Sequence, residues 1–131
     1  MVVSYVFKRN RRTLRKALDQ RIRQMIQLCA DDLTRSGFTG RVRVVFQTGK
    51  SRIQRRLYGL CCFFRPTPTI YIYTRYCRMS TILDTIAHEF GHVAHFVLFP
   101  KSRTHWCREY REKFAVMYAQ IMMQRLNGVS V

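Results

Sequence analysis

The chain has 131 residues, 47% of them hydrophobic and 13% aromatic, which is enough for one domain with a real core and excludes a disordered chain. It contains no uninterrupted apolar run of membrane-spanning length, so a membrane role is not expected. Its five cysteines, Cys29, Cys61, Cys62, Cys77 and Cys107, are odd in number and form no C-x-x-C pair, which argues against a disulfide scaffold or zinc ribbon. Basic residues outnumber acidic ones 24 to 7, for a formal net charge of +17 that must attract polyanions.

The apolar start, Val2 to Phe7, precedes Lys8, Arg9, Arg11, Arg12 and Arg15. That order is the reverse of a secretory signal, so an intracellular, non-secreted protein is expected, and an Arg-rich organelle leader fits the same residues. From Arg11 to Ser36, Leu14, Ala17, Leu18, Ile22, Met25, Ile26, Cys29 and Leu33 recur at intervals of three and four, predicting an amphipathic helix closed by Gly37. The other face of this helix is basic. Arg12, Arg15 and Arg23 on it are the candidate nucleic-acid contacts, because a guanidinium forks onto phosphate with two hydrogen bonds; an ordinary solvated face is the competing reading. After Gly40, Val42 to Phe46 alternates as a first strand. Leu57 to Phe64 and Thr69 to Tyr73 follow as two more, joined through Pro66-Thr67-Pro68.

Met79 to Phe99 predicts a helix with Ser80 as N-cap and with Ile82, Leu83, Ile86, Phe90, Val93, Ala94 and Val97 as its apolar stripe, ended by Pro100. In its middle stands His88-Glu89-Phe90-Gly91-His92. The four-residue spacing puts both imidazoles on one face a turn apart, where both can reach a single Zn²⁺. Glu89 then lies beside the metal and can take a proton from water that the metal activates, which is the chemistry of peptide hydrolysis. A last helix is expected from about Trp106 to Asn127, with Phe114, Met117, Ile121, Met122 and Leu126 inward and Gly128 just past its end.

A catalytic zinc takes three protein ligands and keeps one position open, so a third ligand is required. His95 is about 10 Å along the helix axis from His88, too far to share an ion with it. The remaining candidates are His105, Glu109 and Glu112. Four of the seven acids fall between residues 84 and 112, around the motif.

Ser51 to Cys61, then Ile70-Tyr71-Ile72, then Leu83 to His92 resemble the core of SprT-like zinc metalloproteases, the family that includes Spartan. The resemblance covers roughly residues 40 to 115 and implies His105 as the third ligand, after a loop. It also implies a substrate strand added along Ile70 to Tyr73, and cleavage of protein near nucleic acid. Trp106 stands where the family usually has glycine, and the family's C-terminal zinc ribbon is absent, so DNA contact would fall to the basic surface. Glu109 to Ala115 echoes instead the closing helix of ImmA/IrrE peptidases, which use a glutamate.

The expected fold is therefore α+β: one zincin-like domain over residues 1–131, with a basic N-terminal helix, a short antiparallel sheet, the HExxH helix and a C-terminal helix. The expected function is zinc-dependent endopeptidase, with Glu89 as general base, His88, His92 and His105 on Zn²⁺, a protein substrate, and DNA as a partner. An ImmA/IrrE-like protease that clips a regulator, and a basic nucleic-acid-binding protein without protease activity, are the alternatives.

Overall fold

A parallel pair of strands requires a crossover of a dozen residues or more between them, and a 24-residue helix supplies it here. Strand β1 (Val2–Lys8) leads through helix α1 (Arg12–Arg35) into β2 (Arg41–Gln47). Strands β3 (Gly59–Cys62) and β4 (Thr69–Tyr73) follow, then helices α2 (Met79–Leu98) and α3 (Arg108–Leu126). This is a computed structural model, and it describes residues 2–8, 12–47, 58–62, 67–74, 78–100 and 108–128. The α+β class is the one the sequence predicts.

The sheet order is β1-β2-β4-β3. β2 runs parallel to β1, with Val2 opposite Arg41, and parallel to β4, with Arg43 opposite Thr69; only β3 and β4 are antiparallel, with Gly59 opposite Ile72. The expected short antiparallel sheet is therefore a mixed one. The sequence reading missed β1, whose apolar residues run into the basic cluster, and with it the crossover through α1. The order also corrects the expected substrate strand. Ile70 to Tyr73 is β4, whose two sides are already bonded to β2 and β3, so a peptide cannot add there. Among the described strands the sheet ends at β1 and β3.

Val42, Val44, Phe46, Ile70 and Ile72 alternate onto one face of the sheet and pack with the helices into a single core. From α1 come Ile22, Met25, Ile26, Cys29 and Leu33, and from α2 Ile82, Leu83, Ile86, Phe90 and Val93, all buried as their spacing predicts. Gly37, at φ 96°, ends α1: its N–H donates to Thr34 O and that of Phe38 to Leu33 O, a pairing that needs a left-handed residue. Ser80 is not the N-cap of α2. Arg78 takes that position without a side-chain bond, because the helix begins one residue before Ser80. In α3, Met122 is buried, but Met117 is half exposed, so its inward face is set by Ala115, Tyr118, Ala119 and Met122.

Polar contacts fix α3 to α1. The Tyr118 hydroxyl donates to Asp32 Oδ2 at 2.9 Å, Arg125 Nη1 lies 3.6 Å from Asp32 Oδ1, and Arg21 Nη2 donates to Asn127 Oδ1 at 3.1 Å. Among the described residues no helix is long and apolar enough to cross a membrane.

Candidate metal centre

Helix α2 buries its apolar stripe and leaves His88 and His92 at the edge of the core, with side chains 23% and 15% exposed. Their rings lie 5.0 Å apart, edge to face at 79°. Helix α3 crosses α2 so that one carboxylate meets both rings. Glu112 Oε2 is 3.0 Å from His88 Nε2, and Glu112 Oε1 is 3.2 Å from His92 Nε2. One ligand atom from each of the three residues lies within 4.8 Å of the others.

A tetrahedral zinc with bonds of 2.0–2.2 Å holds its ligands roughly 3.3 Å apart, and each ring nitrogen lies near that distance from one oxygen of the carboxylate, His88 from Oε2 and His92 from Oε1. Burial pushes His92 down to about 4, against the opposing pull of the Glu112 carboxylate, so its ring is neutral near pH 7, the form that ligates metal. Without an ion, the His88 Nε2 contact with Glu112 Oε2 serves as a hydrogen bond, and His92 Nε2 stands at ion-pair distance from Glu112 Oε1. With one, two nitrogens and a carboxylate oxygen form a His₂Glu set, a donor combination found in catalytic zinc sites.

Comparison with protein-family models, curated proteins and solved structures finds no match to this chain. What the centre can do rests on its surroundings. Glu89 lies in the contact between α2 and β3 and is only 6% exposed. Burial, and then the charge of Glu112, push its carboxyl up to about 8. It fits there because β3 carries glycine where it passes over α2. A Cβ on Gly59 would stand 2.6 Å from Thr85 Cγ2, 2.9 Å from Glu89 Cγ and 3.2 Å from Glu89 Oε1. Cys61, two residues along the same face, is half-buried, its thiol raised well above the usual range by burial first and then by the charge of Glu89.

Of the candidate third ligands, Glu112 joins His88 and His92, and Glu109 does not. Glu109 is exposed and pairs with Lys113 at 3.3 Å. His105 lies outside the described residues. His95 stays apart from the ligand group, as its distance along the helix requires; it is buried, with its ring 4.9 Å from that of Phe114 and 5.1 Å from that of Phe99. The three arginines expected to meet nucleic acid are all on α1, whereas the ligand group stands on α2 and α3. Arg23 is exposed, and the side chains of Arg12 and Arg15 are outside what the structure describes.

Two features were not singled out from the sequence. Gly59 inside a strand was legible as a point of close backbone approach. Arg111 was not legible. Its Nε is buried with no hydrogen-bond partner among the described residues, and its charge adds to the effect of burial in lowering both His92 and His95.

Proposed function

We propose that this protein is a zinc-dependent endopeptidase in which His88, His92 and Glu112 hold the ion and Glu89 is the general base. The observation that carries the reading is the Glu112 carboxylate, brought from a separate helix to within 3.0 and 3.2 Å of the two HExxH nitrogens. Zn²⁺ bound there would polarise the scissile carbonyl and lower the pKa of water towards neutrality. Glu89, one residue from a ligand, would take the proton from water and return it to the leaving amine. Burial and the charge of Glu112 raise its proton affinity in the metal-free protein, and the charge of the bound ion would bring it down again, so that Glu89 could accept the proton as a carboxylate. β3, at the end of the sheet among the described strands and directly over Glu89, is the strand along which a substrate main chain would pair. Backbone pairing of that kind holds many sequences equally well.

The glutamate ligand favours the ImmA/IrrE-like arrangement over the three-histidine site that the SprT-like resemblance implies. The net charge of +17 supports substrates that lie on nucleic acid. One experiment separates these roles: zinc per chain by elemental analysis, with cleavage of casein and histone followed with and without single-stranded DNA. One zinc per chain with DNA-stimulated cleavage supports the nucleic-acid-linked protease. Cleavage of a defined regulator at one bond without DNA supports the regulator reading, and a chain that binds no zinc overturns the proposal.

Gly59→Ala tests the position of Glu89. The added methyl must displace Thr85 or Glu89, so peptide hydrolysis should fall on the order of 10²-fold while zinc content stays at the wild-type level. Paired elemental analysis and initial rates check this, and an unchanged rate would mean that Gly59 does not hold Glu89 in its working position.

A further inference from the structure

Where α3 crosses α2, close to the Glu112–histidine contacts, α2 carries no side chain. A Cβ on Gly91 would stand 2.9 Å from Ala115 Cα, 3.2 Å from Ala115 O and 3.1 Å from Tyr118 Cβ. Two of these three atoms are backbone, so no rotamer change relieves them; α3 itself would have to move. Gly91 is not there for its conformation, since its φ lies outside the left-handed range in which Gly37 and Gly128 stand. Glycine is a poor residue for a helix interior, and its presence on the buried face of α2 calls for a packing reason. Ala115, fully buried, is the small residue opposite.

The crossing is in register with the site. Gly91 is three residues after His88 and next to His92, and Ala115 is three residues after Glu112, so the contact lies about one turn from His88 and Glu112 and beside His92. α3 is also held to α1, through the Tyr118–Asp32 hydrogen bond and the Arg125–Asp32 ion pair. With α3 fixed there, its approach to α2 at the crossing determines how far Glu112 stands from the imidazoles.

We propose that Gly91 and Ala115 form a close helix crossing that sets the Glu112-to-histidine distances, which makes Gly91 a positioning residue of the metal centre. This rests on the ligand set proposed above. A methyl at position 91 moves the α3 backbone outward and draws the carboxylate away from contacts of 3.0 and 3.2 Å. Ala115→Val wedges the same crossing from the other helix.

The test uses the full chain and reads zinc affinity by chelator competition, the visible spectrum of the Co²⁺-substituted protein, and thermal melting without metal. Wild type, Gly91→Ala, Ala115→Val and Glu112→Gln are compared. The expected result is that both crossing variants melt cooperatively without metal, bind zinc at least tenfold more weakly, and give a Co²⁺ spectrum shifted from wild type towards that of Glu112→Gln. A folded crossing variant with wild-type affinity and spectrum overturns the positioning role while leaving the metal centre intact. Failure of both variants to fold even with excess zinc also overturns it, because the contact would then serve the core at large. A wild type that binds no zinc overturns the ligand set and this inference together.

Discussion

Glu89→Gln should abolish peptide hydrolysis, by roughly 10²–10⁴-fold, while leaving zinc bound and raising the thermal stability of the metal-free protein. The loss follows from the role: glutamine is nearly the same shape and fits beside Gly59, but it cannot accept and return a proton. The gain follows from burial. In the folded, metal-free protein the Glu89 carboxyl is pushed up to about 8, whereas unfolded it titrates near 4.5. The folded state therefore binds the extra proton, and the stability this group contributes is fully present below about pH 4.5. It is lost as pH rises from there through about 8. The glutamine variant has no such loss, so it should melt no higher than wild type at pH 4 and progressively higher from pH 5 to 8. A raised pKa of this size corresponds to roughly a few kcal/mol. Melting curves of both metal-free proteins across that range, with cleavage assays of the zinc-loaded forms, check the two halves separately. Equal melting at pH 8 would mean that Glu89 is not buried as described, and retained hydrolysis would mean that it is not the base.

The parts of the fold governed by local periodicity were legible in the sequence. The stripe from Ile82 to Val93 and the one from Ile22 to Leu33 each carry a helical period in their own residues, and Gly37 marks the left-handed end of α1 with a residue type that few others can replace. Sheet order was not legible, because nothing in Val2 to Lys8 or Arg41 to Gln47 specifies which strand each will pair with; that is decided by the path of α1 between them. The centre divides in the same way. His88, Glu89 and His92 share one helix and a fixed spacing. Glu112 is 24 residues from His88, and its place beside the ring depends on a helix crossing that no single segment encodes. Met117 failed as a core residue for a related reason: α3 presents its Ala115–Tyr118–Ala119 face to the crossing, which turns Met117 outward.

Removal of Glu112, the proposed third ligand, has the other large expected effect, and it distinguishes the two proposed ligand sets. Glu112→Ala should lower zinc affinity by at least about 100-fold, more than the 10–100-fold typical for loss of a residue that merely supports a ligand, while His105→Ala keeps zinc near the wild-type level. Elemental analysis after dialysis against a weak chelator reads this directly, and melting with added zinc reads it independently. A bound ion stabilises by RT ln(1 + [L]/Kd), so at a fixed zinc concentration Glu112→Ala should forfeit most of the zinc-dependent rise in melting temperature. Loss of zinc in His105→Ala with retention in Glu112→Ala would instead assign the three-histidine site that the SprT-like resemblance implies. The charge balance around the centre argues for Glu112. Two of the chain's seven acids, Glu89 and Glu112, are close enough for the charge of Glu112 to raise the proton affinity of Glu89, an arrangement that opposes folding unless something positive lies between them. Arg111, whose Nε is buried and has no partner among the described residues, sits next in sequence to Glu112 but acts on His92 and His95. A divalent cation held by Glu112 and the two imidazoles would offset that repulsion and would make Glu89 easier to ionise, as a general base must be. The metal-free Glu112→Ala protein should accordingly lose part of the pH-dependent destabilisation that Glu89 confers on wild type, whereas Glu89→Gln loses all of it.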